Sequence, residues 1–302
     1  MDSIKLFCLV DDFCKKYQEE FSNQSLPEIR RTKKIGRPKK RRKQKNPRKS
    51  RMSLSEIMFI IIMYSFSPCK NFKFYYLVYV KESEFPGKLS YNHFVSIIHK
   101  SLHPLAIFSK MLFGTETGKY FIDSTPLEVC KNKRRFRHKV FDGFANSGMT
   151  SKGWFFGFKL HFIINEKGEV MNYSISKGST SDLKPVLNLS KNLIGFLFAD
   201  KGYIDYKKSG LFQKLYQRNL KLVTGIKSNM KNKLQHLEEK LLLRKRGVIE
   251  SVFNVLKNVF NIEHSRHRNP INAFTQIIAT IVAYLFKANK PKITDISNII
   301  QE

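Results

Sequence analysis

Acidic side chains are scarce in this chain: 24 aspartates and glutamates stand against 55 lysines and arginines, a formal net charge of +31. That imbalance points to a polyanionic partner, with nucleic acid ahead of an acidic membrane surface. Cysteine is scarcer still. Cys8, Cys14, Cys69 and Cys130 form no C-x-x-C pair and have no accompanying His-x-x-x-His set. The usual structural zinc patterns are thereby excluded, and scattered thiols in a reducing compartment fit better. Long apolar runs are missing too. The longest, IMFIIIMYSF (57–66) and AFTQIIATIVAYLF (273–286), fall short of the roughly 18–20 residues of a membrane span. The opening MDSIKLFCLVDDFCKK is too short in its apolar part, and too acidic, for a secretory signal. These absences describe a soluble, intracellular protein.

Apolar residues nevertheless make up 42% of the chain, with 26 Phe and 12 Tyr, so a sizeable core can form. A length of 302 residues suits two domains or one large one. The positive charge is concentrated. Arg30 to Arg51 holds 14 Lys or Arg and no acid, leaving +17 on the remainder. This stretch has no hydrophobic period and is expected to be disordered without a partner. Arg37, Lys39 and Lys40 in its GRPKK core suit an arm laid into an A·T-rich minor groove, and a generic counterion-releasing tail fits the same composition.

Five segments follow from the patterning. Residues 1–29 read as an amphipathic N-terminal helix with a polar tail, and 30–52 as the basic arm. Residues 53–115 read as a helical, helix-turn-helix-like DNA-binding region, opened by the capping-box spacing of Ser53 and Glu56. From 118 to 287 strands and helices alternate, and 288–302 form a C-terminal tail. Strands are expected at 120–129, 153–165, 168–178, 195–203 and 220–227, and an amphipathic helix at 241–260. A meander followed by alternating helices and strands predicts an α/β sheet with helices on its faces.

Two of these strands share a design. YFID ends an apolar run on Asp123, and GFLFAD ends another on Asp200. If the strands are neighbours, both carboxylates emerge at one edge, where a cation between them or a proton on one relieves their repulsion. Oxygen-only ligation favours Mg²⁺ or Mn²⁺ over zinc. A third acid lies on the 241–260 helix, whose apolar stripe is Ile249, Val252, Phe253, Leu256 and Phe260. At about 100° per residue, Arg246, Glu250 and Lys257 fall within about 40° of each other on the flank of that stripe. Glu250 can thus face the sheet edge, with Arg246 and Lys257 available to phosphate.

The segments FIDSTPLEVCKNKRRFRHKVFDGFANSG, GWFFGFKLH, LFADKGY, LLLRKRGVIESVFNVLKN and IEHSRHRNP together resemble bacterial insertion-sequence transposases of the DDE class, over about residues 53–290. The resemblance implies an RNase H-like fold with a five-stranded mixed sheet, and a triad of Asp123, Asp200 and Glu250. It implies two Mg²⁺ or Mn²⁺ ions for cutting element ends and joining the 3′-hydroxyl to target DNA. It also implies double-stranded DNA as partner, a homodimer or higher oligomer that pairs two ends, and a place on the bacterial nucleoid. Relatives carry a Tyr, an Arg and a Lys around the glutamate. Arg246 and Lys257 match two of these, but Leu243 stands at the Tyr position. The interval from Asp200 to Glu250 leaves no room for the inserted domain of some relatives.

Further candidates surround this triad. The two-residue period of GWFFGFKLHF puts Lys159 and His161 on one face, near the triad or the DNA backbone, with His161 as active-site support. Arg134, Arg135 and Arg137 in CKNKRRFRHK are expected DNA contacts, with Phe136 among them. His264 and His267 lack a third metal ligand. Asp182 reads as a helix cap and Asp205 as a turn residue. Two other functions fit less of the sequence: a stand-alone RNase H-fold nuclease, and a catalytically silent DNA-binding repressor derived from a transposase.

Overall fold

A computed structural model describes residues 2–21, 51–85, 89–151, 153–205, 210–226, 236–263 and 267–293. The basic arm with Arg37, Lys39 and Lys40, His264, and the end of the C-terminal tail lie outside the described residues.

Six strands form: β1 (Lys119–Cys130), β2 (Asn146–Thr150), β3 (Gly153–Asn165), β4 (Val170–Lys177), β5 (Gly195–Ala199) and β6 (Leu220–Thr224). They make one mixed sheet in the order β2-β3-β1-β5-β6, with β4 also paired to β3. β1 to β4 pair antiparallel, whereas β5 lies parallel to both β1 and β6. This is an α/β sheet flanked by helices, consistent with an RNase H-like fold. It has one strand more than the five expected. β2 reads NSGMT, which carries no apolar alternation; its extended conformation comes from pairing with the start of β3. The expected strand at 195–203 stops at Ala199, because a 3₁₀ turn begins at Lys201.

Period-two alternation gives the sheet two apolar faces. One presents Phe121, Leu160, Phe162, Ile164, Phe198 and Val223, and it shares a core with helices from both ends of the chain. The other presents Tyr120, Ile122, Ile163, Leu197 and Leu222 to Val186, Leu189, Leu211 and Leu215. The helices before β1 are α1 (Ser3–Phe21), α2 (Leu54–Phe66), α3 (Phe72–Tyr75, continuing as a π-helix to Glu84), α4 (Tyr91–Ile97) and α5 (Leu102–Met111). Ser53 and Glu56 close the capping box that their spacing predicts, with Ser53 Oγ accepting from the Glu56 N–H at 3.1 Å. No residue of α2 is exposed, and the open side chains of this region lie on α3, its π extension, α4 and α5.

Five helices follow β1: α6 (Val186–Leu189), α7 (Leu211–Tyr216), α8 (Leu237–Arg244), α9 (Val248–Asn254) and α10 (Pro270–Leu285). The last packs on α2 and α5, which joins the two ends of the chain in one core.

The register between β1 and β5 aligns the two strand acids. Phe121 pairs with Phe198, and two residues further on each strand stand Asp123 and Asp200. Gly195 sets this register. Its φ of +115° lies where only glycine is unstrained, and an added Cβ would stand 2.3 Å from the Gly118 carbonyl oxygen. Gly195→Ala is therefore expected to lower stability by about 2–4 kcal/mol in urea unfolding. A loss below about 1 kcal/mol would show that the β1–β5 start tolerates a side chain.

Candidate active site

The glutamate helix is less regular than its periodicity predicts. Residues 237–259 run as α8, a 3₁₀ turn at Lys245–Gly247, α9 and a π turn at Val255–Val259. Gly247 weakens the helix where it tightens. The expected stripe is in place: Ile249, Val252, Phe253, Leu256 and Phe260 are all buried. Phe253 meets Phe162 of β3 with ring centroids 5.7 Å apart. This docking leaves Arg246 and Glu250 at the rim, beside the end of the β1–β5 ladder.

Arg246 is the centre of the site. One guanidinium nitrogen lies 3.4 Å from Asp123 Oδ2; the other lies 3.3 Å from Glu250 Oε1 and 3.9 Å from Asp200 Oδ1. Acids from β1, from the end of β5 and from α9 thus converge on one cation. Asp123 is the least accessible, with 22% of its side chain exposed against 56% for Asp200 and 62% for Glu250. Burial pushes Asp123 up to about 6. The N–H of Ser124, donating to Oδ1 at 2.8 Å, and the charge of Arg246 oppose that rise, whereas Asp200 and Glu250 add to it. Among the described residues no three His, Cys, Asp or Glu side chains are gathered closely enough to hold a metal ion. A guanidinium is wider than a metal ion, and it holds the acids apart around itself. Three carboxylates facing one positive charge are a suitable donor set for a hard divalent cation.

Lys257 does not join this cluster. Its ammonium donates to the Pro126 carbonyl at 2.7 Å and to Glu263 at 2.8 Å, tying the π turn to β1. Leu243, at the Tyr position of the resemblance, packs against the core.

Lys159 and His161 lie on the opposite sheet face from Asp123, because Asp123 pairs with Phe162. Lys159 bonds both oxygens of Asp182 at 3.1 and 3.2 Å, and Ser124 Oγ donates to Asp182 at 2.7 Å. His161 is fully buried, its Nε2 2.8 Å from Ser176 Oγ and its Nδ1 3.7 Å from Asp182. Burial lowers its pKa to about 4 against the pull of Asp182, with Lys159 adding to the fall, so the ring is neutral.

Asp182 is therefore not the helix cap that its position suggests. The helix begins only at Val186, and the carboxylate instead neutralises Lys159. Asp205, read as a turn residue, accepts from the N–H of Leu211 at the start of α7. Arg134, Arg135 and Arg137 sit on a 3₁₀ turn (Asn132–Arg137).

Two further residues gave no sequence signal. Tyr203 is buried with its hydroxyl unpartnered among the described residues, and the charges acting on it are led by Asp123 and Asp182. Burial first, then those carboxylates, hold it well above the usual tyrosine range, so it stays a neutral donor. Glu263 is the partner of Lys257.

The raised pKa of Asp123 has a definite sign. A carboxyl that titrates higher in the fold than unfolded favours folding fully below about 3.8, and that contribution is lost as pH rises through about 6. In EDTA, Asp123→Asn should gain about 1–3 kcal/mol over the parent at pH 8 and nothing at pH 3.5. Urea unfolding at both pH values checks this, and an equal effect at the two would contradict it.

No curated protein matches the chain. Residues 113–270, just over half of it and including β1 through the glutamate helix, match a family model described as transposase DDE domain. By its fold, by the convergence of Asp123, Asp200 and Glu250, and by this match, the chain belongs to the DDE transposase family.

Proposed function

We propose that this protein is a bacterial insertion-sequence transposase that cuts the ends of its element and joins the freed 3′-hydroxyl to target DNA. The observation that carries the reading is the meeting of Asp123, Asp200 and Glu250 around Arg246. These acids would hold two Mg²⁺ or Mn²⁺ ions. When bound, such ions supply Lewis acidity that polarises the scissile phosphate and lowers the pKa of an attacking water or hydroxyl. Asp123, being the most buried, fixes the site to the sheet, while the more exposed Asp200 and Glu250 face the solvent side from which DNA approaches. Arg246 holds the three acids together in the metal-free protein, and turns to a phosphate when DNA arrives. Ser124 and Asp182 position β1 behind the site.

Double-stranded DNA is the partner that +31 of charge supports. Contacts are proposed for Arg134, Arg135 and Arg137, for the helical region at 53–115, and for the arm with Arg37, Lys39 and Lys40. Lys159 and Lys257, each satisfied by an acid, act there through positioning. Pairing of two element ends calls for a dimer or larger assembly on the nucleoid. Among the described residues no helix is long and apolar enough to cross a membrane.

The direct test is cleavage of a labelled duplex carrying the DNA that borders this gene. Nicking at the border with Mg²⁺, abolished by EDTA and reduced about a thousandfold or more by Asp200→Ala, is expected. Binding without cleavage under any metal would replace the reading with a repressor. Cutting without regard to the border would replace it with a plain nuclease.

The role given to Arg246 has its own signature. Arg246→Ala should bind Mn²⁺ about tenfold more tightly than the parent without DNA, since no internal cation competes for the acids. The same variant should bind DNA more weakly, with a log–log salt slope smaller by about 1. Titration calorimetry and salt-dependent polarisation measure both, and an unchanged Mn²⁺ affinity would refute the placeholder role.

A further inference from the structure

The β2–β3 hairpin carries an exposed apolar cluster that the proposed chemistry does not use. Met149 and Trp154 are register partners, as are Ser147 and Phe156. Directly opposed residues share a face, and so do residues two apart, so these four side chains lie on one side of the hairpin. The basic turn lies over the same side: Arg135 reaches to 3.4 Å from Ser147 Oγ, and the ring of His138 is 6.4 Å from that of Phe156. On that turn Phe136 is 87% exposed, with the Arg135 guanidinium 4.4 Å from its ring centre. Met149 and Trp154 are 65% and 59% exposed.

Large apolar side chains left this open, on one small surface, point to an occupant with flat apolar faces. The surrounding charge identifies its sign. Residues 130–159 contain eight lysines and arginines and a single acid, Asp142. A flat aromatic group on a polyanion describes the unpaired, unstacked base of a DNA strand, since bases in a duplex meet their partners edge to edge and have their faces covered by the base pairs above and below. Every base has such a face, so stacking of this kind tolerates sequence.

The placement relative to the active site follows from the register. Trp154 lies on the same sheet face as Phe162, the pairing partner of Asp123, and eight residues along β3 from it. At strand rise this is about 26 Å.

We infer that Trp154, Phe136 and Met149, flanked by Arg134, Arg135 and Arg137, form a stacking platform for unpaired DNA bases, about 26 Å along the sheet from the carboxylate site. The inference rests on the DNA-cleaving reading for its biological use, but its test needs neither metal nor cleavage.

Trp154 is the sole tryptophan of the chain, so emission excited at the red edge of its absorption, where the 12 tyrosines do not absorb, reports on this surface alone. The full-length protein in EDTA is titrated with a single-stranded oligonucleotide, with a blunt duplex of the same sequence, and with a duplex bearing a single-stranded flap. Quenching of the tryptophan by the single strand and the flap, and little quenching by the blunt duplex, is expected. Polarisation of a labelled single strand should show Trp154→Ala and Phe136→Ala each weakening binding about tenfold, with blunt-duplex affinity unchanged. Both side chains are exposed, and thermal unfolding confirms that the variants fold.

Equal quenching by blunt duplex would overturn the platform in favour of backbone contact. Unaltered emission with bound single strand would overturn it outright. An emission change on dilution without DNA would assign the surface to a second copy of the chain instead. Border cleavage without tryptophan quenching would refute the platform and leave the transposase reading standing. Quenching without cleavage would do the reverse.

Discussion

Three carboxylates at one sheet edge repel one another, and the candidate site depends on the single guanidinium that lies between them. Arg246 reaches Asp123, Asp200 and Glu250 from one turn before α9, at 3.3–3.9 Å. Each acid belongs to a different element, so the arginine also fixes how the glutamate helix meets the β1–β5 end of the sheet. With Asp123 mostly buried, deleting that cation would leave its charge opposed by desolvation and by two neighbouring acids. An arginine in this position gathers the three acids into one cluster, spaced around a guanidinium rather than around a metal ion. It also makes the site self-satisfied until something better arrives for both partners. Metal for the acids and phosphate for the arginine are complementary exchanges, and linkage then requires that each strengthen the other.

The sheet supplies the precision this exchange needs. Parallel pairing of β1 and β5 places their acids level with one another, and a glycine-bounded start at Gly118 and Gly195 sets that level. On the far face a second polar group backs the first. Ser124 follows Asp123 in β1 and donates to Asp182, which in turn neutralises Lys159. The neutral, buried His161 completes this layer against Ser176. Such an array holds β1 from behind, so movement of Asp123 would disturb several hydrogen bonds at once.

Much of this was legible in the chain itself. The β1 and β3 spans follow from their aromatic and β-branched runs, and the strand acids from the abrupt end of two apolar segments. The stripe of the glutamate helix and the capping box at Ser53 are short-range patterns, and short-range patterns survive folding. What was hidden depends on long-range pairing. β2 has no strand-like sequence and exists because β3 offers it an edge. Asp182 looks like a cap in isolation, because nothing local shows that Lys159, 23 residues earlier, needs its charge. Lys257 sits on the predicted ridge, yet Glu263 and the Pro126 carbonyl claim it. Spacing alone grouped Arg246 with Glu250, but its contact with both aspartates required the fold.

The central claim is that Asp123, Asp200 and Glu250 form a cation site that Arg246 fills in the metal-free protein. The most direct measurement is a crystal structure grown with Mn²⁺ and a DNA end, read by anomalous scattering. Anomalous peaks among the three carboxylates, with Arg246 turned onto a phosphate, are the predicted result. Manganese bound elsewhere, or an arginine still bridging the acids in the loaded complex, would contradict it.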